Sequence, residues 1–191
     1  MTSTITAARD MMPIRPLSFA ESLRTAELQA TKVLEVSGLS APPFPERLIS
    51  GLPRMQVERI IPAPASGATQ WSRGRWLILL NGAERPERQR FSLAHEFKHV
   101  LDNPFIGVLY PRIGDLSSAE RAEQVCNYFA GCLLMPRMWL KRSWVGGIQE
   151  PRALARQFDV SLQAMKVRLL QTGLTEPGAR CLTVGAAQWI S

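Results

Sequence analysis

The chain has two histidines in 191 residues, His95 and His99, and they stand four residues apart. Residues at this spacing lie on one face of an α-helix, so both imidazoles can bind the same ion. Glu96 is displaced around the helix, where its carboxylate can reach a water on that ion. Zinc lowers the pKa of bound water to roughly 7, and a nearby carboxylate can take the proton. This H-E-x-x-H pattern predicts a zinc peptidase site with His95 and His99 as ligands and Glu96 as general base.

A catalytic zinc takes a third protein ligand and leaves its fourth position for water. Without a third histidine, that ligand must be a carboxylate or a thiol. Asp102 lies too far along the helix axis from the first histidine, and Glu120 fits better as the N3 residue of a capping box. Cys126 is expected to be a small buried residue on another face of the next helix. Glu123 is the better candidate, and Asn127, one turn later, can hold a ligand by a hydrogen bond.

The elements that must position these residues can be predicted from periodicity, prolines and capping boxes. Helices are expected at 18–36, 86–102, 117–135, 136–144, 151–158 and 162–171, with a loop at 105–116. Strands are expected at 55–61 and 75–80, separated by a turn-prone loop at 62–67. The sequence therefore predicts an α+β fold, mostly helical with a short antiparallel sheet. An extended, edge-like segment around 70–80 could bind a substrate chain by strand addition.

Composition limits the alternatives. A chain of this length forms about one domain, and we divide it into a flexible lead-in (1–17), a metallopeptidase core (18–145) and a C-terminal helical hairpin and tail packed on the core (146–191). The N-terminus lacks the apolar region of a signal peptide, and no apolar run can span a bilayer. Three cysteines without a C-x-x-C pair suit a cytoplasmic protein with no membrane contact. The five tryptophans are spread out and are expected to pack in the core or at its rim.

Three stretches of sequence resemble a known family: FSLAHEFKH at 91–99, EQVCNYFA at 123–130 and LLMP at 133–136. Their order, spacing and flanking residues are similar to those of the ImmA/IrrE family of metallo-endopeptidases, a gluzincin-like HExxH group, over about residues 50–175. The resemblance implies a small zinc-peptidase fold of helices with a short sheet. It also implies a zinc ion held by His95, His99 and Glu123, with Glu96 as general base.

The resemblance has two departures and one implication for the substrate. Cys126 stands where the family usually has alanine, and Lys98 stands where glycine is common; we expect Lys98 at an exposed helix position. Members of the family typically cleave a helix-turn-helix transcriptional repressor. The resemblance therefore implies a protein substrate, either such a repressor or an antitoxin-like regulator.

The C-terminal segment leaves other functions open. Residues 152–170 resemble a helix-turn-helix whose second helix carries Gln163, Lys166 and Arg168. The net charge of +7 suits contacts with phosphates or with an acidic partner, although the basic residues are scattered. One alternative is therefore a DNA-binding regulator with a structural or vestigial metal site, and another is a protein-interaction module without metal. Because similar segments occur at this place in the family, packing of the two helices on the core is favoured over nucleic-acid binding.

Overall fold

The computed structural model describes residues 3–112 and 116–175. Within this part of the chain, helices pack against a three-stranded sheet. In chain order the elements are α1 (Thr4–Arg9), α2 (Phe19–Val36), α3 (Arg47–Ser50), β1 (Met55–Ile60), β2 (Gly67–Ser72), β3 (Arg75–Asn81), α4 (Pro86–Asp102), a 3-10 turn (Asn103–Phe105), α5 (Ile106–Leu109), α6 (Ser118–Leu134), α7 (Arg137–Val145), α8 (Pro151–Phe158) and α9 (Leu162–Thr172). The α+β class is confirmed.

The helix ends form where the sequence predicts them. Both capping boxes are present. The hydroxyls of Ser18 and Ser117 accept hydrogen bonds from the backbone N–H groups of Glu21 and Glu120. The side chain of each glutamate in turn accepts a hydrogen bond from the backbone N–H of its serine. Helix α4 begins at Pro86, where a missing N–H costs nothing because the first turn has no partner for it. These local signals set where α2, α4 and α6 begin; α4 and α6 carry the residues of the candidate site, and α2 packs on α6.

The sheet is mixed, so the prediction of an antiparallel sheet is only partly right. Strand β3 is central, antiparallel to β2 and parallel to β1. A two-residue turn at Arg73 and Gly74, both with positive φ, closes the β2–β3 hairpin. The chain passes from β1 to β2 at the opposite edge of the sheet, and β3 then lies between these two strands. The edge strand beside α4 is consequently β2, which the sequence pattern assigned partly to a loop.

One hydrophobic core joins the sheet to the helices. Trp76, Ile78 and Leu80 alternate along β3 and are buried, and α4 packs against both β2 and β3. Helix α6 packs on α4 and on α2. Phe158 of α8 and Met165 of α9 belong to the same buried cluster. The C-terminal hairpin thus shares the core of the rest of the chain.

Two segments carry more structure than expected. In the lead-in, α1 buries Ala7 and Ala8, and Arg9 donates hydrogen bonds to carbonyl oxygens at the end of α4. The expected loop at 105–116 begins with the end of the 3-10 turn and α5. The tail after residue 175 lies outside the described residues, as does the third cysteine, Cys181. No helix in the described ranges is long and apolar enough to cross a bilayer.

Candidate metal centre

Three of the side chains selected from the sequence converge on one point between α4 and α6. His95 and His99, on one face of α4, bring their Nε2 atoms to 3.2 Å from each other. Glu123 of α6 faces them with both oxygens, one 3.1 Å from His95 Nε2 and the other 3.2 Å from His99 Nε2. The imidazoles are largely covered, whereas 55% of the Glu123 side chain is exposed. The group is therefore open to solvent on the glutamate side.

The spacing of these donors fits a zinc-sized cation. Ligand atoms that lie 2.0–2.1 Å from zinc at tetrahedral angles are about 3.3 Å apart. The three separations between His95, His99 and Glu123 are 3.1–3.2 Å. Two imidazoles and one carboxylate with a solvent-facing side form the donor set of a catalytic zinc site. The residues present thus suit a divalent metal.

Asn127 orients the first ligand. Its Oδ1 lies 2.9 Å from Nδ1 of His95, one helical turn beyond Glu123 on α6. With a metal bound, an acceptor at this place would keep the ring proton on Nδ1 and leave the Nε2 lone pair for the metal. A hydrogen bond of this kind fixes the tautomer and the ring plane that a metal requires.

The electrostatics of the group favour a positive charge at its centre. Burial disfavours the charged form of His99, but hydrogen bonds with Cys126 and Glu123 outweigh it and raise the His99 pKa to about 11. Hydrogen bonds from His95 and His99 hold the pKa of Glu123 far below its ordinary value. Because metal ligation needs neutral imidazoles and an ionised carboxylate, a divalent cation would take the place of that proton.

Cys126 is a second possible partner for the two histidines. Ligand atoms of His95, His99 and Cys126 lie within 4.8 Å of one another. The thiol is fully buried, and burial raises its pKa, which opposes the thiolate that zinc binds. Glu123 places its oxygens 3.1 and 3.2 Å from the two Nε2 atoms and is ionised, which favours Glu123 over the protonated thiol as third ligand. Cys126 is buried as the sequence predicts, but its hydrogen bond with His99 was not anticipated.

Strand β2 holds Glu96 beside this group. The carboxylate of Glu96 is buried, and its Oε2 accepts a hydrogen bond of 2.7 Å from the Thr69 hydroxyl. Gly67 lies so close that a Cβ on it would be 2.8 Å from Glu96 Oε1. Because residues two positions apart in a strand lie on the same face, residues 67 and 69 share the face that meets α4. Sequence reasoning missed both residues because β2 has only one β-branched residue and was not recognised as a complete strand.

The candidate metal group and Glu96 open into a cleft of about 370 Å³. Its walls come from β2, the start of β3, the end of α4, α5 and α6; they include Gly67, Thr69, Trp71, Trp76, Asn103 and Ile106 beside His95, Glu96, His99 and Glu123. The exposed edge of β2 runs along this cleft. An extended chain placed there would lie beside both the histidines and Glu96.

Lys98 is not at an exposed position, so that expectation is wrong. It is 1% exposed and forms an ion pair with Asp102, which also accepts from the Tyr110 hydroxyl. Residues 98 and 102 share the face of α4 that packs under Tyr110. Asp102 is thereby occupied, in agreement with its rejection as a metal ligand. Burial and the Asp102 charge raise the pKa of Tyr110.

The C-terminal helices place the two suggested nucleic-acid contacts differently. Lys166 is exposed, but Arg168 is 2% exposed, donates to the Met135 carbonyl at 3.1 Å and stacks over the Tyr128 ring. The suggestion that Arg168 contacts nucleic acid is therefore wrong, because its side chain fixes α9 to the end of α6. A groove of about 1130 Å³ separates the start of α4 from the α8–α9 turn, away from the candidate metal group. Its lining mixes arginines with acidic residues, namely Arg85, Arg88, Arg152 and Arg156 with Glu84, Glu87 and Asp159, so it is no uniform phosphate-binding surface.

Comparison with known proteins identifies a matching family and several similar proteins. Residues 57–170 match the family model Peptidase M78, described as the IrrE N-terminal-like domain. Two curated relatives are named radiation response metalloprotease IrrE. The Deinococcus radiodurans protein is 43% identical over 67 residues, 31% of this chain and 19% of the relative. The Deinococcus deserti protein is 45% identical over 67 residues, 31% of this chain and 22% of the relative.

The aligned region thus spans about a fifth of the length of these relatives. Among solved structures, a Mycobacterium tuberculosis transcriptional regulator superposes with a TM-score of 0.62 at 16% identity, covering 95% of this chain and 55% of that one. Identity at this level shows a shared fold alone.

Proposed function

Because this chain belongs to the Peptidase M78 family, that of the IrrE N-terminal-like domain, we propose that it is a zinc-dependent endopeptidase. The family and the relatives named as metalloproteases support hydrolysis of a protein substrate with a divalent metal. The single observation that carries the proposal is the approach of His95, His99 and Glu123 to within 3.1–3.2 Å of one another. This donor set favours zinc as the metal.

Each residue of the group has a role in this proposal. His95, His99 and Glu123 hold the metal, and Asn127 keeps His95 in the ligating tautomer. A zinc ion held by these residues would supply a Lewis acid able to polarise a carbonyl and acidify water. Glu96 accepts the proton of the attacking water and returns it to the leaving amine.

The Thr69 hydroxyl donates a hydrogen bond to the Glu96 carboxylate, and the missing side chain of Gly67 leaves the room that this carboxylate occupies. The side chains of Tyr110 and Tyr128 have other partners, Asp102 and Arg168. Neither tyrosine lines the cleft, and we assign neither a role at the scissile bond.

The substrate is an extended protein segment that adds to the free edge of β2. The segment first suggested for this role extended into β3, which is central and has both edges occupied. The resemblance to the ImmA/IrrE family favours a helix-turn-helix repressor or an antitoxin-like regulator as this substrate. Free, buried Cys126 and Cys132 support a cytoplasmic location.

Replacement of Glu96 tests the proposal. Glu96→Gln keeps the size of the side chain and leaves the three metal ligands unchanged, so zinc content should stay the same. Protein cleavage should be lost, since the general base is gone. New protein N-termini in a lysate of the source organism, labelled and identified by mass spectrometry, measure cleavage. Glu58→Gln, at an exposed position of β1, is the matched control and should behave as wild type.

Two results would contradict the proposal. If Glu96→Gln generates the same N-termini as the wild type, Glu96 is not the base and the cleavage comes from elsewhere. The second result concerns the phenotype of cells that carry each variant. If Glu96→Gln cells behave as wild type while Lys166→Ala cells do not, and Lys166→Ala no longer binds a DNA fragment that the wild type binds, the protein is a DNA-binding regulator. Lys166 suffices for this comparison, because neutralising the buried Arg168 would also disturb packing.

A further inference from the structure

Trp71 exposes half of its side chain beside the candidate catalytic group. It is 51% exposed and stands opposite Trp76 in the β2–β3 register. The two rings make an edge-to-face contact with centroids 5.2 Å apart and an interplanar angle of 65°. This contact fixes the indole of Trp71, so its exposed face is a rigid apolar surface in the cleft.

The position of Trp71 on β2 follows from the strand period. Gly67 and Thr69 both approach Glu96, and Trp71 is the next residue on the same face, about 7 Å further along the strand. Ile106 of α5, 43% exposed, lines the same cleft. A peptide bond held at Glu96 would therefore bring a neighbouring side chain of the substrate against these two residues.

The charges of the cleft select against acidic side chains. Among the described residues that line it, Glu96 and Glu123 carry carboxylates and none is lysine or arginine. The net charge of +7 lies elsewhere on the chain. The two carboxylates would balance the charge of a divalent cation at the histidines, so a glutamate or aspartate of the substrate would lose water at Trp71 and Ile106 without gaining a lysine or arginine partner. A large apolar side chain would instead bury its surface on Trp71 and Ile106.

We propose that Trp71 and Ile106 form a subsite that binds a large apolar side chain next to the scissile bond. The substrate is then a protein segment with leucine, phenylalanine or methionine at that position and without acidic neighbours. This inference rests on the proposed peptidase function, since it names the chemistry that the same cleft selects.

The test uses the zinc-loaded full chain and two kinds of probe. The first probe is an equimolar mixture of synthetic peptides in which every combination of two adjacent amino acids occurs. Mass spectrometry of the cleavage products gives the preferred residues on each side of the cleaved bond. Peptide hydroxamates with leucine or glutamate beside the metal-binding group give binding without catalysis. Trp71→Ala should lower kcat/KM for peptides with large apolar residues by about 10- to 100-fold and change it little for those with glycine or alanine. Trp71→Phe should keep the preference.

The control for Ile106→Ala is Ile61→Ala, which removes an isoleucine that is 72% exposed and does not line the cleft. Of these two isoleucine variants, only Ile106→Ala should weaken the preference for large apolar residues. Cleavage without an apolar preference, or a preference unchanged in Trp71→Ala, would overturn the subsite and leave the peptidase function standing. A wild type that cleaves nothing but binds the leucine hydroxamate through Trp71 would overturn the peptidase function alone. Absence of both cleavage and selective binding would overturn both.

Discussion

Gly67→Ala should displace the general base while leaving the metal ligands in place. The added Cβ would lie 2.8 Å from Oε1 and 2.9 Å from Cγ of Glu96, whereas ordinary contact begins at 3.4 Å. The carboxylate must therefore move by about 0.6 Å, which also disturbs its hydrogen bond from Thr69. Displacement of a reacting group by about 1 Å can cost roughly 100-fold in rate. We expect kcat to fall by about 10- to 100-fold.

The same change should have little effect on folding. The clash reaches Cγ as well as Oε1 of Glu96, so the whole side chain must shift, but an alanine in a strand loses less conformational entropy than a glycine, and this gain of about 0.5–1 kcal/mol offsets part of the cost. The free energy of unfolding should therefore stay within about 1 kcal/mol of the wild type. Because His95, His99 and Glu123 are untouched, zinc affinity should be unchanged.

Steady-state kinetics, zinc titration and urea unfolding separate these effects. Gly107→Ala is the control, since a Cβ at this position would meet nothing within 4 Å. A fall in kcat with constant KM, constant zinc affinity and normal stability is the expected pattern for Gly67→Ala. A Gly67→Ala variant with the full kcat would refute the role of β2 in positioning Glu96. Loss of zinc would show that the strain is relieved by moving α4 instead.

Two further substitutions test the surroundings of the metal ligands. Asn127→Ala removes the acceptor for His95 Nδ1. It should weaken zinc affinity, measured by chelator competition, by about 10- to 100-fold. Asn127→Asp keeps an acceptor, so an equal loss of affinity in both variants would argue against this role of Asn127. Lys98→Met leaves the Asp102 carboxylate buried without its cation and should lower the free energy of unfolding by about 3–5 kcal/mol. Urea denaturation measures this cost, and a change below about 1 kcal/mol would mean that Tyr110 alone satisfies Asp102.

The helix-based expectations succeed because helix signals are local. Four-residue spacing puts His95 and His99 on one face of α4 whatever surrounds it. The capping boxes at Ser18 and Ser117 close their hydrogen bonds within four residues. Glu123 was selected by elimination and by resemblance, and the structure brings it to both histidines.

The errors arise where an outcome depends on contacts between distant elements. Lys98 and Arg168 are residue types expected on a solvated helix face, yet both are buried. Lys98 forms an ion pair with Asp102, and Arg168 donates a hydrogen bond to the Met135 carbonyl. The sequence does place Asp102 one turn after Lys98, but a helical pattern shows neither the burial of this pair beside Tyr110 nor the contact of Arg168 with another helix. Parallel pairing of β1 with β3 likewise follows from how the hairpin inserts into the sheet.

The sequence by itself determined that two histidines and a glutamate lie on one helix, in the pattern that predicts a metal site and a base. It did so because a helix repeats every 3.6 residues and needs no tertiary contact to place i and i+4 together. The tertiary structure decided which carboxylate faces those histidines, which strand contacts Glu96 and which aromatic side chains line the cleft. Glu123, Thr69 and Trp71 come from elements that are remote along the chain, and packing alone sets their distances from α4.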